Sequence, residues 1–162
     1  MSKPRYKWWG YIKSVIRSYP ELKKQYDELH RQNITASISG MPGAGGVSRG
    51  TENIALKELP KSEQAEMEAV RMAIQATERM KTGKDRMRIV QLVFWKQSHT
   101  LQGAALAIPV SYDTAINYHG GFIVMVAYFH GNVSIEELER DKKYEAVTRY
   151  LKRYELTEGA QK

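Results

Sequence analysis

The chain has 162 residues, of which 42% are hydrophobic, enough for one packed domain and too many for global disorder. It contains no cysteine, which excludes disulfide bonds and thiolate metal sites and fits a reducing compartment. The sequence has neither a signal-peptide pattern nor an apolar run of ~20 residues, so we expect a cytoplasmic protein with no membrane partner.

The net charge of +7 suits a polyanionic partner such as DNA, and it is concentrated near the N-terminus. Residues 1–31 hold eight Lys or Arg and three Asp or Glu, so the rest of the chain is nearly neutral. Apolar side chains recur there at helical spacing and Pro20 is well placed to open a second helix, which predicts a basic helical hairpin over residues 1–32. The cations predicted to contact a DNA backbone are Lys3, Arg5, Lys7, Lys13 and Arg17.

Residues 33–50, NITASISGMPGAGGVSRG, are rich in Gly and Ser and are predicted to form a loop. The glycines do not make a nucleotide-binding P-loop, because no Lys–Ser/Thr pair follows Gly46 and no apolar strand precedes them. Residues 51–83 follow as connecting helices, and Gly83 lies where the longer of these is expected to end.

Residues 84–131 carry the most informative pattern, that of a helix-turn-helix. A largely apolar helix that starts at Asp85 comes first and is expected to lie in the centre of the core. Thr100 is positioned to cap a short helix through Ala107, and Pro109 ends that helix because it lacks an amide proton.

Ser111 is positioned to cap the second helix, which the glycine pair at 120 and 121 is expected to break or bend. Such a helix either enters a DNA groove or belongs to an ordinary hairpin in a core. In the first case Asn117 can read adenine through its amide, and Thr114 can contact a thymine methyl group. The predicted recognition residues are Ser111, Tyr112, Asp113, Thr114, Asn117, Tyr118 and His119.

Residues 132–162 are predicted to form a last helix and a tail. Ser134 and Glu137 have the spacing of a capping box, and the helix is expected to run to about Leu156. A charged stretch interrupts its apolar stripe, so this helix is expected either to pack loosely or to serve self-association. No alternating strand pattern of useful length occurs anywhere, so the chain is predicted to be all-α.

No catalytic or metal-binding constellation is recognisable. The histidines at 30, 99, 119 and 130 include no pair at i, i+4 spacing that would present two imidazoles to one metal. No carboxylate pair lies in an apolar setting, and no serine lies in a nucleophile elbow. We therefore expect neither an enzyme nor a cofactor.

Several blocks in order resemble phage late-gene transcriptional regulators of the RinA/ArpU type. These are YPELKKQYDELHRQNITAS, GGVSRGTENIALKEL, EQAEMEAVRMAIQAT and RIVQLVFWKQSHTLQGAALAIPVSYDTAINYHGGFI, which together extend over roughly residues 6–130. The last block is similar to the DNA-binding region 4 of sigma factors. It departs from that pattern in two places, since a proline lies in the turn and two glycines replace basic residues of the recognition helix.

The resemblance implies an all-α phage or prophage protein that binds double-stranded DNA and activates transcription of packaging, structural or lysis genes in a bacterial host. It implies a recognition helix over residues 111–119. RNA polymerase and further copies of the chain are candidate partners. Two alternatives stay open, namely a small terminase subunit or other packaging protein, and an antitermination protein.

Overall fold

The computed structural model describes residues 6–39 and 58–160, and within these ranges it contains helices and no strand. This confirms the all-α prediction. The described helices are α1 (Trp9–Ser39), α2 (Lys61–Glu78), α3 (Gly83–Val90), a π-helical segment (Gln91–Trp95), α4 (Leu101–Ala107), α5 (Tyr112–His130), α6 (Ile135–Asp141) and α7 (Glu145–Ala160). Residues 40–50 of the predicted Gly/Ser-rich loop, and residues 51–57 after it, lie outside the described ranges.

The N-terminal region is one long helix, so the predicted hairpin is wrong. Pro20 lies inside α1, where it cannot donate a hydrogen bond to the carbonyl of Ile16 one turn earlier. The indole Nε1–H of Trp95 donates to that carbonyl instead, at 2.8 Å. The helix therefore passes through the proline without an orphaned acceptor at Ile16. It also continues through residues 33–39, where a loop was predicted.

Two glycines have different roles from those predicted. Gly83 is the buried first residue of α3 rather than the cap of α2, and a side chain there would collide with the carbonyl oxygen of Thr77. Gly120 causes no break, because α5 is helical from Tyr112 to His130. The helix expected from Asp85 to Trp95 is present, but its second half is π-helical.

The central helix of the fold is α5, and not the helix that starts near Asp85, for which the central position was predicted. Its residues 120–127 are all buried, because α1, α2, α3 and α7 pack around it. Phe122, Ile123 and Val124 are 0–2% exposed and belong to the main core. None of the helices in the described ranges combines the length and apolar character needed to cross a membrane.

The C-terminal region forms two helices rather than one. Ser134 caps α6 as predicted, since its Oγ accepts from the amide of Glu137 at 3.3 Å. Lys142 then adopts a left-handed conformation with φ 55°, which ends α6 and lets α7 begin at Glu145. The N-terminal aromatics pack against this region, where Tyr6 donates to Asp141 and Trp9 stacks on Tyr144 with ring centroids 6.5 Å apart.

Candidate nucleic-acid interface

The two predicted caps that frame the α4–α5 unit are both present. Thr100 Oγ1 accepts from the amide of Gly103 at 3.1 Å, which begins α4. Ser111 Oγ accepts from the amide of Thr114 at 3.0 Å, which begins α5. Residues 108–111 join the two helices, and this short connection holds the start of α5 beside α4.

A small apolar cluster fixes how α4 and α5 pack. Alanines contribute three of its six buried side chains, and such small side chains let the helices approach closely. The cluster also includes Ile89, which ties the unit to α3. The buried members are Ile89, Ala104, Ala105, Ile108, Ala115 and Tyr118. Since these side chains face inward, the opposite side of the first turns of α5 is left at the surface.

The exposed side of α5 contains five of the seven predicted recognition residues. Tyr112 is 49% exposed, and its neighbours Ser111 and Asp113 are also exposed. Thr114 and Asn117 are half-buried. These five residues occupy the cap and the first two turns of α5, the part of a recognition helix that usually contacts base edges.

Tyr118 is not part of this surface, and the expectation that it faces a duplex is wrong. Its side chain is 8% exposed and belongs to the apolar cluster. The guanidinium carbon of Arg86 lies 4.5 Å from the centroid of its ring, an arrangement typical of a cation–π contact. Tyr118 therefore supports α5 from the inside.

His119 also differs from the prediction. Its imidazole stacks on Phe94, with ring centroids 4.8 Å apart and planes inclined by 3°. Burial, and to a smaller extent the positive charges of Lys13 and Arg17, lower the pKa of His119 to about 4. The ring is consequently neutral at pH 7 and stabilises the packing of α5 against the π-helical segment.

Helix α1, which contains Lys13 and Arg17, packs against α5. Lys13 is half-buried and Arg17 is exposed, and the charges of both lower the pKa of His119 on α5. The structure thus brings together two predicted groups that are about 100 residues apart in sequence. Lys7 is exposed just before α1, and Lys3 and Arg5 lie outside the described residues.

Two residues at this surface were not among the predicted site residues. Ile116 is half-buried and follows the exposed Tyr112 and Asp113 by one helical turn. Leu106, in the last turn of α4, is 80% exposed. Helical spacing from Tyr112 and Asp113 identifies Ile116, whereas nothing in the sequence distinguishes Leu106 from the buried residues beside it.

The described residues offer no competing metal site, because they include no group of three or more His, Asp or Glu side chains placed to hold an ion. The chain was also compared with protein-family models, curated proteins and solved structures, and none of them matches it.

Proposed function

We propose that the protein is a sequence-specific double-stranded DNA-binding regulator of transcription, which acts for a phage or prophage on its late genes. The observation that carries this proposal is the outward side of the first two turns of α5, where Tyr112 and Asp113 are exposed and Asn117 is half-buried, on a helix that packs against the basic helix α1. A helix that presents polar side chains at its N-terminal end, flanked by cations, matches the two kinds of contact that DNA requires.

Base contacts are assigned to the exposed side of α5. The Asn117 amide has the donor and acceptor pair that matches adenine in the major groove, and Thr114 has a methyl group that matches thymine. Asp113 bears a negative charge in the first turn of α5, where it stabilises the helix dipole and disfavours close approach to phosphates. Asp113 should therefore favour one orientation of the protein on DNA and weaken binding to non-specific DNA.

Backbone contacts are assigned to α1. The described part of α5 contains no Lys or Arg, so it contributes little of the phosphate binding that dominates DNA affinity. Arg17 is exposed and Lys13 is half-buried, and each phosphate contact they make adds about one unit to the salt dependence of binding. RNA polymerase remains a second predicted partner.

The proposal is tested by selecting bound fragments from phage and host genomes with the full chain in dilute salt. We expect enrichment of one short site upstream of late genes. Binding of that site and of a scrambled duplex is then measured by fluorescence anisotropy over a range of KCl concentrations. Failure to enrich any duplex at low salt would overturn the proposal.

Three variants separate the assigned roles. Asn117→Ala should reduce the preference for the selected site by about 1–3 kcal/mol, the usual value of one bidentate base contact. Arg17→Ala should weaken binding to both duplexes equally and lower the salt slope by about one. Arg79→Ala is the matched control, because Arg79 lies beside Phe129 at the opposite end of α5 and should leave binding unchanged. An unchanged preference in Asn117→Ala would reject α5 as the recognition helix.

A further inference from the structure

Arg86 is a buried cation with no anion in contact with it. Its side chain is 5% exposed, and none of the ion pairs among the described residues includes it. Burial lowers the pKa of its guanidinium, and Tyr118 offsets this effect only in part. Removing a charged group from water is unfavourable unless the group is paired. The fold therefore holds a positive charge for which the described residues supply no negative partner.

Part of the hydrogen-bonding capacity of Arg86 is also unused. Nε donates to Thr82 Oγ1 at 2.8 Å, which holds one edge of the guanidinium in place. A guanidinium has five N–H donors, and those on Nη1 and Nη2 of Arg86 meet no acceptor among the described residues. Neither nitrogen is both sealed from solvent and without an acceptor. Both therefore reach the surface, where a ligand can meet them from outside.

Gly121 provides the space in which the guanidinium lies. A β-carbon at position 121 would fall 3.1 Å from Nη1 of Arg86 and 3.0 Å from a methyl group of Val147. One turn earlier on α5, the ring of Tyr118 lies 4.5 Å from the guanidinium carbon. Helices α3, α5 and α7 thus meet at this point, and they fix the direction in which Nη1 and Nη2 can donate.

We propose that Arg86 binds a phosphate group through Nη1 and Nη2 at the surface beside Gly121. The two nitrogens form a planar fork that matches two oxygens on one phosphorus atom. A bound phosphate supplies the missing acceptors and the missing negative charge together. The guanidinium is already held in place by Thr82 and Tyr118, so it loses little conformational freedom when the phosphate binds.

The phosphate has two possible sources, which are a small phosphate in solution and the backbone of a DNA duplex. Gly121 follows Asn117 by four residues, so the Arg86 site lies about one helical turn from the residue to which we assign the adenine contact. Only the second source rests on the proposed function. The site itself goes beyond that proposal, because the unpaired charge of Arg86 is present whether or not the protein binds DNA.

The first experiment titrates the ¹⁵N-labelled full chain with inorganic phosphate, which replaces chloride at constant ionic strength. We expect saturable shifts of the Arg86 Nε–H resonance and of the Gly121 backbone amide. Arg86→Met should raise the phosphate dissociation constant reported by Gly121 at least about tenfold, because charge-assisted hydrogen bonds are lost. Arg88→Met should bind phosphate as the wild type does, because Arg88 is exposed on the same helix.

Circular dichroism and melting temperature establish that these variants are folded. Should Arg86→Met fail to fold, Arg86→Lys takes its place, since lysine keeps the charge but lacks the planar fork. The wild-type titration needs no variant. Because it contains no DNA, its result also does not depend on whether the protein binds a duplex.

The second experiment replaces inorganic phosphate with a duplex and distinguishes the two sources. If DNA supplies the phosphate, the duplex should move the same two resonances. Arg86→Met should then weaken binding of the selected and scrambled duplexes alike and lower the salt slope by about one. If a small phosphate is the ligand, Arg86→Met should leave duplex binding unchanged while phosphate binding is lost.

Three results would overturn the phosphate site. The first is an Arg86 resonance that neither inorganic phosphate nor a duplex moves. The second is phosphate binding by Arg86→Met that is as tight as that of the wild type. The third is an equal shift with acetate at the same concentration, which would show that the fork does not select phosphate.

Discussion

The ring of Tyr144 lies directly over Gly120, so that a β-carbon at position 120 would fall 2.7 Å from two of its ring carbons. Tyr144 is itself 6% exposed and stacks on Trp9, so it has little room to move away. The glycine that weakens α5 in isolation is therefore the residue that allows α1 and the start of α7 to close over α5.

Gly120→Ala should consequently destabilise the protein. Overpacking costs about 1–3 kcal/mol and outweighs the gain of up to ~1 kcal/mol in helix propensity. Gly10→Ala is the matched control, because Gly10 lies in the first turn of α1 with open space around it, and this change should be neutral or slightly stabilising. Urea denaturation measures both. Equal or greater stability of Gly120→Ala would contradict the close contact with Tyr144.

The hydrogen bond from Trp95 to the Ile16 carbonyl predicts a coupled pair of substitutions. Trp95→Phe should lower the free energy of unfolding by about 1–3 kcal/mol or more, because it leaves the Ile16 carbonyl without a donor and also reduces packing. In a Pro20→Ala background the alanine amide can donate to the same carbonyl, so Trp95→Phe should cost less there. A double-mutant cycle measures this coupling free energy. Strictly additive effects would show that the indole does not compensate for the proline.

The lowered pKa of His119 predicts how the free energy of unfolding depends on pH. Its pKa of about 4 in the folded protein lies below the ordinary value of 6.5, so the unfolded chain binds a proton that the folded chain lacks between these values. Stability should therefore fall as the pH decreases from about 6.5 to 4, by on the order of 1–3 kcal/mol at 1.36 kcal/mol per pKa unit.

The variant His119→Phe isolates this contribution, because phenylalanine keeps a ring against Phe94 and cannot be protonated. Carboxylates titrate equally in both proteins, so the difference between their urea midpoints at pH 7, 5 and 4 reports on His119 alone. If wild type and variant lose stability in parallel over this range, the pKa of His119 is not lowered in the folded protein.

Arg86 is buried, yet we expect one substitution at this position to be tolerated. The side chain is 5% exposed, and none of the ion pairs among the described residues includes it. It donates from Nε to Thr82 Oγ1 at 2.8 Å and lies over Tyr118, and burial lowers the pKa of its guanidinium.

Replacing such a group by an apolar side chain of similar length removes a buried charge, so Arg86→Met should leave stability unchanged or increase it by ~1 kcal/mol. Arg86→Ala should instead lose about 2–4 kcal/mol, because it leaves a cavity beside Gly121 and Val147. Thermal and urea denaturation distinguish these outcomes. A loss in Arg86→Met as large as that in Arg86→Ala would mean that the charge and the hydrogen bond to Thr82, which both variants lack, stabilise the fold.

The sequence was informative where local chemistry decides the structure. The caps at Thr100, Ser111 and Ser134 were predictable because a side chain satisfies an amide three residues away. The effect of Pro20 was mispredicted because the donor that compensates for it, Trp95, lies 79 residues along the chain from the Ile16 acceptor. No local sequence pattern indicates such a distant hydrogen-bond donor.

The inward position of Tyr118 and the stacking of His119 were missed for a related reason. Spacing along α5 shows which residues share a face, but not which neighbouring helix covers that face or where the cover ends. Tyr118 lies inward because Arg86 and the alanines of α4 pack there, and His119 is stacked because Phe94 comes from the π-helical segment.

The π-helical segment Gln91–Trp95 holds one residue more than an α-helical turn, in the manner of a single-residue insertion. Two consecutive aromatic residues in this segment contact different neighbours. Phe94 stacks on His119, whereas Trp95 donates a hydrogen bond to Ile16 and packs against the ring of Tyr19. Deleting one residue from this turn would rotate everything that follows by roughly 100° relative to α3, the angle per residue of a helix with 3.6 residues per turn. The π-helical segment thus sets the rotation of the α4–α5 unit relative to α3, and a change in chain length at this point should be tolerated less well than a substitution.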